Sequence, residues 1–266
     1  MEQISATIIS NQELTEGNTE ISKANLICVE AHNIAIAAKP GQFVMVNCGT
    51  EVILRRPLSI HQTTASSSRI YFLFTVVGKG TFWLSKRQKG EKLDLLGPLG
   101  NGFTVKPKSR KLLLIAGGIG ISPMAFLAHQ AINHGKQPTL ILGAQKKDQL
   151  YKQNLPIKGL ETIILTDDGS DGIKGKVSDF HFLIDYIRQA DQIFGCGPLP
   201  MYKAIADLLL QMSMDKDIQV SLETRMGCGI GTCYGCSIKT THGMKMVCHD
   251  GPVFNMEEII WQEIKL

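Results

Sequence analysis

Nowhere does the sequence offer the roughly 18 uninterrupted apolar residues that a membrane-crossing helix requires. The opening stretch Met1-Glu-Gln-Ile-Ser-Ala-Thr7 has neither the basic start nor the apolar run of a secretory leader. No membrane association is expected, and a cytoplasmic setting, where thiols stay reduced, is. Like charges never run beyond short pairs such as Lys146-Lys147, and the net charge is only +4, which leaves no footprint for a nucleic-acid partner. His32, His129, His134, His181 and His242 lack metal-ligand spacing, and His61 and His249 merely adjoin other motifs, so all seven histidines read as structural. Two separated C-x2–4-C pairs, as zinc ribbons and fingers present, are also missing.

What the chain does have is a cysteine cluster near its end, Met226-Gly-Cys228-Gly-Ile-Gly-Thr-Cys233-Tyr-Gly-Cys236, followed by Cys248. The spacing, C-x4-C-x2-C and then eleven residues to the last, is the plant-type signature of a [2Fe–2S] cluster. A loop wrapping a cluster needs left-handed backbone angles and N–H groups free to face sulfur, which Gly229, Gly231 and Gly235 allow. Zinc would accept the same four thiolates, and on spacing alone it remains the weaker alternative. At 266 residues, 44% hydrophobic and 20% charged, the chain has room for two cores and a small appendage.

Up to about residue 104 the sequence reads as short strands between turns: Ala6–Ser10, Ala24–Glu30, Ile34–Ile36, Gln42–Val46, Arg56–His61 and Arg69–Val77. Such a series favours an antiparallel barrel, ended by the multi-glycine turn Leu96-Gly-Pro-Leu-Gly-Asn-Gly102. Next, Lys111–Ala116 is an apolar strand without alternation, suited to a parallel sheet. It enters Gly117-Gly-Ile-Gly-Ile-Ser-Pro123 and then a helix from Met124 to Asn133; free N–H groups at such a junction form an anion site. Strands Thr139–Ala144, Glu161–Thr166 and Gln192–Cys196, with a helix over 200–211, continue the alternation and predict a doubly wound sheet. Its ligand site should lie at the carboxyl ends of the strands, where Gly117–Pro123 and Gly195-Cys-Gly-Pro198 both fall. Cys196 reads equally well as a small buried residue ending a strand. Asp167-Asp168-Gly-Ser-Asp-Gly172 resembles a calcium loop only loosely and is better read as a polar loop at a strand end.

Pro40-Gly-Gln-Phe43, Arg56-Pro57-Leu58-Ser59 and Gly78-Lys-Gly80-Thr81 together resemble the flavin domain of the ferredoxin-NADP reductase superfamily. That resemblance implies an FAD site in which Arg56 pairs with the pyrophosphate and Ser59 hydrogen-bonds the flavin; a planar guanidinium suits a bidentate phosphate contact. Gly80 and Thr81 would offer N–H and hydroxyl donors to a second phosphate, and Leu58 stands where a flavin-stacking tyrosine is common. It also implies that Gly118, Gly120 and Pro123 hold NAD(H), with Cys196 and Gly197 beside the nicotinamide. No acidic residue follows Leu142 at the position of a ribose partner, so these residues leave NADH and NADPH both open, and it is the narrower family resemblance given next that favours NADH.

The whole length, and most specifically Ser221–Cys236, resembles the electron-transfer subunit of class B dihydroorotate dehydrogenase. The resemblance implies a cluster on Cys228, Cys233, Cys236 and Cys248, and FAD contacts at Arg56–Ser59, at Leu73, Phe74 and Thr75, and at Gly80-Thr81. Thr75 stands where an arginine is frequent in that family. It further implies an FMN-containing catalytic subunit in a heterotetramer of two of each, serving pyrimidine biosynthesis. The expected architecture is multidomain β plus α/β: an antiparallel Greek-key FAD barrel (1–104), a doubly wound parallel NAD-binding sheet (105–222) and a small [2Fe–2S] module (223–266). Hydrogenase- or ferredoxin-linked subunits share these modules but often replace a cluster cysteine, whereas this quartet is complete. A standalone oxygenase reductase usually carries a full ferredoxin domain, for which the 43 residues after Glu223 are too few.

Overall fold

The computed structural model describes residues 1–14, 23–152, 155, 158–179 and 181–264. Six strands, β1 (Glu2–Glu13), β2 (Ala24–Glu30), β3 (Phe43–Val46), β4 (Arg56–Thr64), β5 (Arg69–Thr75) and β6 (Lys92–Leu99), close into an antiparallel barrel. Their order, β1-β2-β5-β4-β3-β6, is the Greek-key arrangement, and closure leaves no unpaired edge. Ile8, Ile27, Val44, Ile60, Phe72 and Leu95 fill its interior, each fully shielded from solvent.

Two local expectations give way to the structure. Residues 34–36 are not a strand but part of helix α1 (His32–Ala37), which packs against β4 and β5. Three apolar residues are too few to set a period: Ile34 and Ala35 are buried while Ile36 points out, a split one helical turn satisfies. Leu96–Leu99 likewise belongs to β6 rather than to a turn. Gly97 sits in the strand because a side chain there would come 2.7 Å from Val44 Cγ1, and the reversal starts at Gly100, whose φ is +71°. A short helix, α2 (Lys79–Ser85), follows β5.

The second body is a seven-stranded sheet in the order β10-β9-β8-β7-β11-β12-β15. Its strands are β7 (Lys111–Gly117), β8 (Gln137–Ala144), β9 (Glu161–Thr166), β10 (Ile173–Lys174), β11 (Gln192–Cys196), β12 (Ile218–Ser221) and β15 (Val253–Asn255). The first six run parallel and β15 pairs antiparallel with β12. The crossovers carry helices α3 (Ile121–Asn133), α4 (Leu183–Gln189) and α5 (Leu199–Gln211). From β7 the chain winds outward through β8, β9 and β10, then returns to β11 on the other side of β7. The β7/β11 junction is therefore the topological switch point, where open α/β sheets bind ligands. The Asp167–Gly172 segment is a polar loop at a strand end, tied by Thr166 Oγ1 donating to the Asp171 carbonyl (2.7 Å) and by a Lys152–Asp171 ion pair.

Past β12 the chain forms the cysteine loop and a hairpin of β13 (Ser237–Thr240) and β14 (Gly243–Met246), then rejoins the sheet as β15. Phe254, Met256, Ile259, Trp261 and Ile264 pack into the sheet's core, so the loop is anchored at both ends. Among the described residues no helix is long and apolar enough to cross a membrane.

Barrel and sheet meet through α3, which lies against β4 and puts Phe126 among the barrel's core residues. Buried His61 on β4 donates from Nδ1 to the Ser122 carbonyl in the first turn of α3 (3.2 Å). Burial pushes the His61 pKa from 6.5 down to about 4, against a smaller upward pull from that hydrogen bond. A depressed value means that the native state favours neutral imidazole, so this contribution to stability is complete above pH 6.5 and is lost as pH falls toward 4. Urea titrations of the wild type should therefore lose about 1.5 kcal/mol from this residue between pH 6.5 and 5. His61→Gln should flatten that dependence, and an unchanged slope in the variant would refute the assignment.

Candidate redox site

Cys228, Cys233 and Cys236 sit on one loop and Cys248 follows β14, with backbone N–H groups aimed at three of the four sulfurs. Ile230 and Thr232 N–H donate to Cys228 Sγ (3.5 and 3.3 Å), Gly231 N–H to Cys248 Sγ (3.2 Å), and Cys248 N–H to Cys236 Sγ (3.4 Å). Gly229 (φ +75°) and Gly231 (φ +84°) supply the left-handed turns; the third falls on Tyr234 (φ +56°) rather than on Gly235. Gly229 also permits contact with the barrel, since a side chain there would lie 2.5 Å from Met45 Cγ. Burial alone would raise the Cys228 thiol, but the Thr232 hydroxyl and the N–H groups of Ile230, Cys233 and Thr232 outweigh it and lower the pKa to about 5. Cys248 moves the other way, to about 12, through burial and then its hydrogen bond with Cys236. Donors that favour thiolate are what a cluster's sulfurs need. Among the described residues no three His, Cys, Asp or Glu converge as one metal ion would require; a dinuclear cluster distributes four thiolates over two irons. Cys236 and Cys248 are buried and Cys233 is exposed, so the loop has a protein-facing and an open side.

Beside this loop a cleft opens where all three parts of the chain meet. The barrel contributes Pro57, Leu58, Ser59, Leu73, Phe74, Thr75 and Thr81; the β7–α3 turn contributes Ile119 and Ser122; and Ser221–Thr224 with Met226 lead out of β12 toward Cys228. Its walls are apolar with hydroxyl groups at intervals, and two buried hydroxyls, Ser122 Oγ and Thr224 Oγ1, have no partner within the protein. Buried groups left in that state call for a ligand or water. A flat heteroaromatic with polar edges fits: apolar faces against Leu58 and Leu73, edge atoms toward the hydroxyls. At the cleft's rim Arg56 lies against Gly80, where a Cβ would come 2.8 Å from Nε; Arg56 Nη1 donates to the Leu54 carbonyl (2.8 Å). The Thr81 hydroxyl is already engaged, accepting from Val77 N–H (2.9 Å) and donating to the Gly78 carbonyl (3.1 Å), so it serves the turn.

The two glycine turns of the sheet interlock at the switch point. Side chains at Gly117 and Gly120 would meet Pro198 Cδ at 2.6 Å and the Cys196 carbonyl at 2.1 Å. Gly118, by contrast, has φ +53° and open space where its side chain would be, which leaves room for a phosphate over Gly118–Gly120. Pro123 is buried in the first turn of α3, and Cys196 is buried behind the cleft wall, its thiol pKa raised by that burial. Sequence reasoning gave no role to Glu223, although a residue just past a strand's carboxyl end is well placed for one. Glu223 lines the cleft and keeps an exposed surface, while the walls around its carboxylate desolvate it in part and raise its pKa.

A family model described as the iron-sulfur cluster binding domain of dihydroorotate dehydrogenase B matches residues 223–260. The dihydroorotate dehydrogenase B (NAD(+)) electron transfer subunit of Desulforamulus reducens is 40% identical, over 88% of this chain and 91% of that one. Its counterpart from a Geobacillus species is 36% identical over 98% and 99%. The chain belongs to this family of electron-transfer subunits. Among solved structures, the NADH-dependent reduced ferredoxin-NADP oxidoreductase superposes with a TM-score of 0.82 at 28% identity, covering 97% of this chain and 90% of that one. The ferredoxin reductase of a carbazole 1,9a-dioxygenase (TM-score 0.68, 22% identity, 82% and 68% covered) shares the fold. A dihydroorotate dehydrogenase B electron-transfer subunit is an oxidoreductase component that works with a catalytic subunit, and the expected barrel, parallel sheet and C-terminal cluster segment are the architecture found.

Proposed function

We propose that this subunit carries electrons between NAD(H) and an FMN-containing catalytic subunit that oxidises dihydroorotate, in an assembly of two of each chain in the cytoplasm. Three units share the work: a flavin barrel (1–104), a nucleotide sheet (105–222) and a cluster segment (223–266). When bound, FAD supplies the conversion between hydride and single electrons, and a [2Fe–2S] cluster carries electrons one at a time. The chain's own part is to hold and orient. Arg56 with Gly80 binds the pyrophosphate, while Pro57–Ser59 and Leu73–Thr75 bed the flavin and keep water from its faces. Gly118 and Gly120 present N–H groups to the dinucleotide, with Pro123 fixing the helix start and Cys196-Gly197 closing the opposite wall. Cys228, Cys233, Cys236 and Cys248 hold the cluster.

One observation carries this reading: a single cleft is walled by the barrel, by the β7–α3 turn and by the segment that runs into the cysteine loop. Co-expression with a catalytic dehydrogenase subunit tests it, by measuring FAD, FMN, iron and sulfide per complex and NADH-linked orotate turnover. Failure to bind such a subunit, or complexes without iron, would end the proposal. Arg56→Ala should lose FAD on gel filtration, a charge-assisted phosphate contact being worth about 1.5–3 kcal/mol or more, while iron content stays at the wild-type level.

A further inference from the structure

Strands β11 and β12 pair side by side until Cys196 and Ser221, and there the ladder stops. Just beyond that point one buried hydroxyl bridges the two chain segments. Tyr202, on α5 and 1% exposed, accepts the Gly197 N–H at 2.9 Å and donates to the Ser221 carbonyl at 2.6 Å. We infer that Tyr202 is a positioning residue for hydride exchange, its hydroxyl fixing the distance between the Gly195–Pro198 turn and the Ser221–Thr224 wall of the cleft. The inference rests on the functional reading above and deepens it.

The geometry separates the hydroxyl's role from that of the ring. Tyr202's ring is held by packing: it lies 5.5 Å from Trp261, tilted 33°, and a side chain at Gly195 would come within 3.4 Å of its Cε1. A phenylalanine would fill that space equally well. What it lacks is the oxygen that reaches both strand ends. Gly197 in turn abuts the other glycine turn, since a side chain there would lie 3.0 Å from Gly117 N. Ser221 leads directly into Leu222, Glu223 and Thr224, which line the cleft. The hydroxyl therefore ties a nucleotide turn to a flavin-facing wall, and reacting atoms held between them depend on that separation to a fraction of an ångström.

Tyr202→Phe in the reconstituted holoprotein provides the test, with flavin bleaching by NADH followed anaerobically by stopped flow. The limiting rate at saturating NADH should fall by about tenfold or more, with little change in the NADH concentration that gives half the limiting rate. Flavin and iron per chain and the cluster's visible spectrum should match the wild type. Trp261→Phe disturbs the packing of the same ring but spares the hydroxyl, so it should lower the melting temperature without slowing the limiting rate. Should Tyr202→Phe not fold, Gly197→Ala displaces the same turn, its methyl meeting Met201 Cε at 2.6 Å, and should slow the limiting rate likewise. A wild-type limiting rate in these turn variants, or rates that track melting temperature in Tyr202→Phe and Trp261→Phe alike, overturns the inference. Wild-type protein whose flavin NADH fails to bleach would defeat the functional reading instead.

Discussion

Replacing Cys236 by alanine should strip iron and sulfide from the chain and leave its flavin in place. Cys236 is buried, its sulfur takes the Cys248 N–H at 3.4 Å, and burial and that partner leave no neighbouring thiol able to substitute without moving the loop. The loss should exceed the ~10–100-fold that removing a supporting partner of a metal ligand costs. NADH should still bleach the flavin, because the cleft is lined by barrel and sheet residues and by Ser221–Met226, not by the four cysteines. Delivery to the catalytic subunit should fall to background. Cys196, Cys28 and Cys48 are buried elsewhere and hydrogen-bonded or packed in place, so alanine at any of them should keep the brown absorbance. Metal analysis and the visible spectrum decide the matter: wild-type iron in Cys236→Ala would show that the ligands were misassigned.

The cysteine loop was legible because its chemistry is written in spacing. Thiolates on a short loop must be adjacent in sequence to be adjacent in space, and the glycines that let N–H groups face sulfur sit among them. The same holds for β7 and its glycine turn, where a continuous apolar run meets a helix start. Shape that depends on distant partners was not legible. Gly97 lies in a strand because of Val44, some fifty residues away, and no local signal announces that. The run at Ile34 is helical because of the barrel end it covers. Glu223 and Thr224 became visible as site residues when β12 was placed beside β11, bringing a third wall to a cleft that the barrel and the glycine turn leave open, and Ser122 when α3 packed against β4. Tyr202 is a further case. In sequence it is one residue on the buried face of an amphipathic helix; its meaning comes from the two strand ends that it joins.

Gly120→Ala should damage both stability and NADH binding, and comparison with Gly118→Ala separates the two effects. A methyl group at Gly120 would lie 2.1 Å from the Cys196 carbonyl oxygen, 2.5 Å from its carbon and 2.9 Å from Gly197 N. All three are backbone atoms at the end of β11, so relief requires the β7–α3 turn to move away from the switch point. Overpacking of this kind costs about 1–3 kcal/mol, and the displaced turn takes its N–H groups with it. At Gly118 nothing lies within 4 Å, and the cost of a side chain at φ +53° is the left-handed penalty of about 1–2 kcal/mol. If that open space receives the dinucleotide phosphate, Gly118→Ala weakens NADH with a smaller drop in melting temperature, whereas Gly120→Ala lowers both. FAD content should change less than NADH affinity in each, because most of the residues proposed to hold FAD, Arg56–Ser59, Leu73–Thr75 and Gly80, lie on β4, β5 and α2. Thermal melts together with NADH titrations of flavin bleaching read the two quantities independently. Wild-type NADH affinity in Gly120→Ala would mean that the interlocked turns are scaffolding and that the dinucleotide binds elsewhere on the sheet.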